Sequence, residues 1–248
     1  MTRHVPTVNR GVHSRAADYV RGSELRGAGH LATADILSAG AFSFDARNAD
    51  EGRSAFSAPG GKTRVGTHVF DERLNIVSDP WRPELSVFSA GQDGVPAQIV
   101  YFVRNGLLET LRYSRYWAQQ KNRQPTGPIS VIVESSARGS TVDEMIRTAR
   151  RALLVSRFFY IRTVDPRTAT VTGLTRDGVW YIEDGQIRYP VRNFRFNQSI
   201  VQMLAQGNVD LIGVPERVSS SEDQGSDPIL VPALRLNAFN FTSQSDAV

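Results

Sequence analysis

The chain has 248 residues, 40% of them hydrophobic and 22% charged. That is enough to bury a sizeable core, and it excludes disorder throughout. No run reaches the roughly 18–20 apolar residues of a membrane span, and the lack of cysteine excludes disulfides, thiolate nucleophiles and Cys-based zinc or iron–sulfur sites. The net charge of +4 is uneven: residues 1–30 hold five arginines against Asp18 and Glu24, while the rest is nearly neutral, with 24 basic and 23 acidic residues.

In chain order, residues 1–30 are rich in Arg, Ser and Gly, have no clear period, and read as a disordered basic leader. They carry no apolar stretch of the kind a secretory signal needs. His30 to Phe44 reads as a helix, with Leu31, Ala34, Ile36, Leu37, Ala41 and Phe42 as its apolar face. Ala46 to Lys62 reads as a polar loop and Thr63 to Val77 as two short strands. Gln98 to Ser114 is a hairpin turned at Asn105-Gly106. A strand is expected at Ile129–Val133, and a helix from Val142 to Val155 opened by a Thr141/Glu144 capping box. Further strands are expected at Phe158–Val164, Ala169–Leu174, Val179–Glu183, Val209–Val214, Ile229–Leu236 and Phe239–Thr242. Thr175-Arg176-Asp177-Gly178 and Asp184-Gly185 read as hairpin turns. A short helix is expected through Leu204, capped by Asn197 or Ser199, and a surface loop at Ser219–Pro228. About nine strands with hairpin signals, against three helices, predict a mainly antiparallel α+β domain.

The side chains limit the chemistry. A zinc site needs three or four converging His, Cys or carboxylate ligands, and beyond residue 30 the only histidine is His68. Gly60-Gly61-Lys62-Thr63 is not a P-loop, because Phe56 stands where that motif needs its first glycine. Three polar–aromatic clusters stand out: Tyr113 to Trp117, Thr175 to Gly178, and Asn193 to Asn197. In each, either the aromatics pack the core with arginine fanned over them, or the cluster binds a ligand.

These segments resemble a known family. The runs Leu153–Thr168, Thr172–Gly178, Ile182–Gly185 and Pro190–Ser199 are similar to signatures of the TldD/PmbA family. So are Val231–Arg235, Phe239–Ser243, Ser245–Val248 and, upstream, Glu51–Ser57 and Ser78–Pro80. The resemblance covers residues 31–248 in order, and implies the family's C-terminal domain: α+β, rich in β, on a mixed, largely antiparallel half-barrel sheet. The N-terminal domain of that family has no counterpart here, since residues 1–30 do not match it. The resemblance further implies a cytoplasmic heterodimer of peptidase subunits, one holding zinc through an H-E-x-x-x-H helix and a later cysteine. The corresponding stretch here, Leu37 to Phe42, has no His and no Glu. The chain therefore resembles the subunit without zinc, or a truncated member, so no catalytic residue and no metal ligand carries over. A zinc-bearing sister and a peptide are the expected partners. Arg115, Tyr116, Arg176 and Asn193 are the candidate residues for a peptide-lining surface. A stand-alone metallopeptidase, a non-enzymatic binder of a gyrase-related partner, and an inactive fragment remain open. The near-neutral body argues against direct nucleic-acid binding.

Overall fold

The structure is a computed structural model. It describes residues 29–38, 43–85, 89–91, 93–218 and 229–245, together with the backbone of 17–20. In chain order its elements are β1 (Ala17–Val20), α1 (His30–Leu37), α2 (Ala46–Asp50), β2 (Ser57–Ala58), β3 (Lys62–Thr63) and β4 (Leu74–Ser78). Then come β5 (Val100–Arg104), β6 (Leu107–Leu108), α3 (Arg115–Lys121), β7 (Ile132–Ser135), α4 (Val142–Arg147), β8 (Arg151–Asp165) and β9 (Thr170–Glu183). Last are β10 (Gln186–Val191), β11 (Asn193–Ser199), α5 (Ile200–Met203), β12 (Val209–Ile212), β13 (Glu216–Val218), β14 (Ile229–Val231), β15 (Leu234–Leu236) and β16 (Phe241–Ser245).

Two open sheets organise the domain. One runs β12-β15-β1-β8-β9-β11-β16, with β10 also paired to β9, and the other runs β13-β14-β7-β4-β5-β6. Among the described residues only the β1–β8 and β14–β7 strand pairs are parallel, so the sheets are mixed and mostly antiparallel, and neither closes there into a barrel. Helix α1 packs against strands of both sheets, β8 of the first and β13 and β14 of the second. All of its side chains except Leu31 are buried. A helix enclosed in this way needs apolar residues all round, and its one acid is tied down: Asp35 Oδ2 accepts the amide of Phe158 at 3.1 Å. The main core joins Leu74, Ile76 and Val103 of the second sheet to Val155, Phe158, Val171 and Phe196 of the first.

The structure corrects the sequence reading in several places. There are five short helices among the described residues, not three. Ala46 to Lys62 is not all loop: Asp45 caps α2 by accepting the amide of Asn48 at 2.7 Å, and β2 and β3 form a small hairpin. Helix α3 has no counterpart in the sequence reading. Ser114 caps it through the amide of Trp117 at 3.2 Å, and Asn122 ends it with φ of 50°, the left-handed conformation that asparagine tolerates. Helix α1 ends at Leu37, and residues 39–42 of the expected helix lie outside the described residues. Helix α4 opens on the expected capping box but stops at Arg147. The β9–β10 turn explains the stop. Its amides at Gly185 and Asp184 donate to the carbonyls of Ala149 (2.8 Å) and Arg150 (2.9 Å), which the next helical turn would have needed. Residues 151–155 then alternate as strand. Within the span read as leader, residues 17–20 form β1; the rest of that span before Gly29 lies outside the described residues, as do 219–228 and 246–248. The turns at Asn105-Gly106 and Asp184-Gly185 carry the positive φ that two-residue hairpins require.

Candidate functional site

The β8–β9 ribbon carries three register shifts, and two of them, one bulge on each strand, frame a short segment. Opposite Ser156 stand two residues, Asp177 and Gly178, and opposite Gly173 stand Tyr160 and Ile161. The first bulge shifts the register by one residue and the second restores it. Such a slip decides which side chains face out. In the framed segment Phe158 and Thr175 point into the core, each 1% exposed. Arg157 pairs with Arg176, and Phe159 with Leu174, on the other face. Arg195 on β11 continues that row opposite Leu174.

The sequence pattern at 175–178 is thus turn chemistry used inside a strand. Asp177 and Gly178 do take positive φ, 60° and 123°, but β9 runs on to Glu183. The bulge aims Asp177 at arginine: Arg157 Nη1 donates to Oδ2 at 3.0 Å, and Arg176 Nε lies 3.7 Å from Oδ1. The guanidinium of Arg176 lies 4.1 Å over the Phe159 ring, and that of Arg162 lies 4.2 Å over Tyr160. Tyr160 is 55% exposed and has φ of 54°, a strained conformation for a bulky residue. Asn193 Oδ1 accepts the Thr175 hydroxyl at 3.0 Å, and that hydroxyl accepts the amide of Phe194 at 2.8 Å. The β9–β11 register carried two residues on brings Asn193 level with Arg176.

Gly178 is required by this geometry. A Cβ there would lie 3.0 Å from Trp180 Nε1 and 3.2 Å from Ser156 Oγ, at a φ of 123°. Gly178→Ala should therefore cost about 1–3 kcal/mol of stability, read as a lower urea midpoint with unchanged slope.

Of the four residues proposed from sequence, Arg176 lies on this face, and Asn193 stands level with it on β11 but turns its side chain to the core-facing Thr175. Arg115 and Tyr116 sit elsewhere, on α3 beyond the second sheet. Arg115 Nη2 donates to the carbonyl of Asp93 at 2.7 Å, and Tyr116 is 61% exposed. Beside them lies an open cleft of about 790 Å³ lined by Asp45, Asp93, Arg112, Ser114 and Thr126 among others. Helix α3 is held to α2 by Trp117, whose Nε1 donates to Asp50 at 2.8 Å and whose ring faces Arg47 and Lys121. Sequence reading missed Phe159, Tyr160 and Arg195 as members of the first surface. Arg195 lay within the Asn193–Asn197 cluster, but Phe159 and Tyr160 fell in none of the three clusters, and no local pattern announces a register slip.

A zinc ion finds no fitting donor set among the described residues, where no three His, Asp or Glu side chains converge. His30 is engaged by the carbonyl of Val214 (Nε2, 2.9 Å) and by Glu216 (Nδ1, 3.4 Å). His68 lies in a separate bridge to Leu107.

Two open, mostly antiparallel sheets around a buried helix, with an arginine–aromatic face between two bulges, define a β-rich α+β domain. The family model of the PmbA/TldA metallopeptidase C-terminal domain matches residues 29–243, and the chain belongs to that family. No curated protein matches. Among solved structures, TldE of Thermococcus kodakarensis superposes with a TM-score of 0.66 at 18% identity, over 92% of this chain and 50% of that one. A candidate modulator of a DNA gyrase from Thermotoga maritima gives 0.67 at 18% identity, over 89% of this chain and 49% of that one. A candidate modulator of DNA gyrase from Bacteroides thetaiotaomicron gives 0.69 at 14% identity, over 92% of this chain and 48% of that one. The chain spans about half the length of these structures, and at such identities the likeness shows the fold. No helix among the described residues is long and apolar enough to cross a membrane.

Proposed function

We propose that this chain is the type of TldD/PmbA subunit that binds no zinc, and handles small peptides beside a zinc-bearing sister in the cytoplasm. The observation that carries the reading is the conflict between a metallopeptidase family and this donor set. The two described histidines are engaged in separate contacts, His30 with Val214 and Glu216 and His68 beside Leu107. Zinc-activated water needs converging ligands, so in this reading the sister supplies hydrolysis. This chain supplies a wall: the eight-stranded sheet is a half-barrel flank of a peptide channel, lined by Arg176 and Asn193, with Arg115 and Tyr116 at a second contact. Extended peptides are gripped mainly by main-chain hydrogen bonds to sheet edges, which asks little of the side chains.

Affinity capture of the tagged chain from its native lysate tests this. A sister carrying H-E-x-x-x-H should co-elute near one to one, and the pair should cleave peptides that neither chain cleaves alone. Elution without such a sister would sink the subunit reading and favour a non-enzymatic binder, the role that the gyrase-modulator relatives bring to mind.

A further inference from the structure

We propose that the face between the two bulges selects acidic peptide segments, an inference that rests on the peptide-handling reading above. Three guanidinium groups, of Arg157, Arg176 and Arg195, share this face with the single carboxylate of Asp177. One carboxylate cannot serve them all. Arg157 holds Asp177 at 3.0 Å, which leaves Arg176 Nε at 3.7 Å, beyond hydrogen-bond length. Arg157 Nε is buried with no acceptor among the described residues, a state that native structures seldom leave unexplained. Arg195 is exposed and has no ion-pair partner among the described residues. A second carboxylate, arriving on a ligand, gives Arg176 and Arg195 the partner that Asp177 does not.

The floor suits a side chain of that shape. The guanidinium of Arg176 sits over the Phe159 ring at 4.1 Å, and an aromatic face holds the planar guanidinium in place for two-point contact with a carboxylate. Leu174 lies between Arg176 along its own strand and Arg195 across the ladder. That diagonal spacing is about 7–8 Å between backbones, within which two long arginines can converge on one glutamate or aspartate. The charge pattern favours a peptide over nucleic acid. Asp177 stands at the bulge beside Arg157 and Arg176, and phosphate tracking needs uninterrupted positive charge.

Fluorescence anisotropy on the full chain tests this, using a fluorescein-labelled peptide of Glu, Ser and Leu and the same peptide with Gln for Glu. The Glu peptide should bind about tenfold more tightly, with the ratio falling towards one in Arg176→Gln/Arg195→Gln and partly restored by lysine at both positions. If the double variant does not fold, Arg195→Gln alone serves, since the Arg195 side chain makes no hydrogen bond or ion pair among the described residues. Equal affinity for the two peptides overturns the selectivity and leaves peptide handling standing. Binding of neither peptide overturns both. Tight, steeply salt-dependent binding of oligothymidylate, lost in the same variants, makes nucleic acid the occupant and overturns the proposal.

Discussion

Phe196→Ala should destabilise the domain by about 3–5 kcal/mol, the usual cost of emptying a buried aromatic site. Phe196 is fully buried, and its ring centre lies 4.7 Å from that of Phe158 and 5.5 Å from that of Phe239. Across the ladder it faces Gly173, the single residue opposite the Tyr160–Ile161 bulge. A Cβ on Gly173 would come within 2.7 Å of Phe196 Cζ and 3.1 Å of the carbonyl of Phe159. Gly173→Ala alone should therefore cost about 1–3 kcal/mol by overpacking. The pair should couple. With the ring gone, the methyl group that Gly173→Ala adds enters the vacated space, so the double variant should lose less than the sum of the singles, by about 1 kcal/mol. Only the clash with the Phe159 carbonyl persists. Equilibrium urea unfolding of the four chains measures this, and strict additivity would mean that the ring does not hold Gly173 small. The same contact links core to surface, since Phe196 and Phe158 are the inward side of the segment whose outward side carries Arg157, Phe159 and Arg176.

What the sequence made legible, and what it hid, divides along physical lines. Local chemistry was readable: the Thr141/Glu144 box, the two-residue turns, the apolar strand runs. The Asp45 and Ser114 caps were equally local but sat among polar residues with little periodicity. The C-terminal limit of α4 was unreadable, because Ala149 and Ala152 fit a helical face and a strand start alike. The decision came from Gly185, some 36 positions beyond Ala149, whose amide takes its carbonyl. The candidate face was half legible. Arg176 and Asn193 belong to polar–aromatic runs and do stand level with each other. Arg115 and Tyr116 share that pattern and stand on another element, since composition says nothing of which sheet a segment joins. The bulges were invisible, because Asp-Gly signals positive φ and cannot say whether the chain then reverses or runs on.

Arg73→Met should be the most damaging single change at a polar site, costing about 3 kcal/mol at neutral pH. That is the lower end for breaking a buried ion pair, because the arginine side chain is 35% exposed while that of Asp71 is 2% exposed. Arg73 grips Asp71 at two points, Nε to Oδ1 at 2.8 Å and Nη2 to Oδ2 at 3.0 Å, and its own amide donates to Oδ1 at 3.0 Å. The same guanidinium donates to the carbonyls of Val209 and Asp210 on β12, so it clamps the six-stranded sheet to the eight-stranded one. Burial pushes the Asp71 carboxyl up, but the hydrogen bonds and charge of Arg73, with a backbone bond from Gly207, hold it below its ordinary value of 3.8. A depressed folded value contributes stability above the unfolded value and loses it as pH falls through the folded value. In Arg73→Met the side-chain hydrogen bonds and charge are lost while burial stays, so the Asp71 carboxyl should rise, opposed only by the backbone amides of residue 73 and Gly207, and the stability it contributes at neutral pH shrinks. The deficit against the parent should accordingly be largest near pH 7 and shrink towards pH 3. Asp71→Asn should cost less than Arg73→Met at pH 7, because it leaves behind the partner that water can reach. Urea unfolding at both pH values settles the order, and a deficit that does not change with pH would mean that the clamp works through the β12 carbonyls alone.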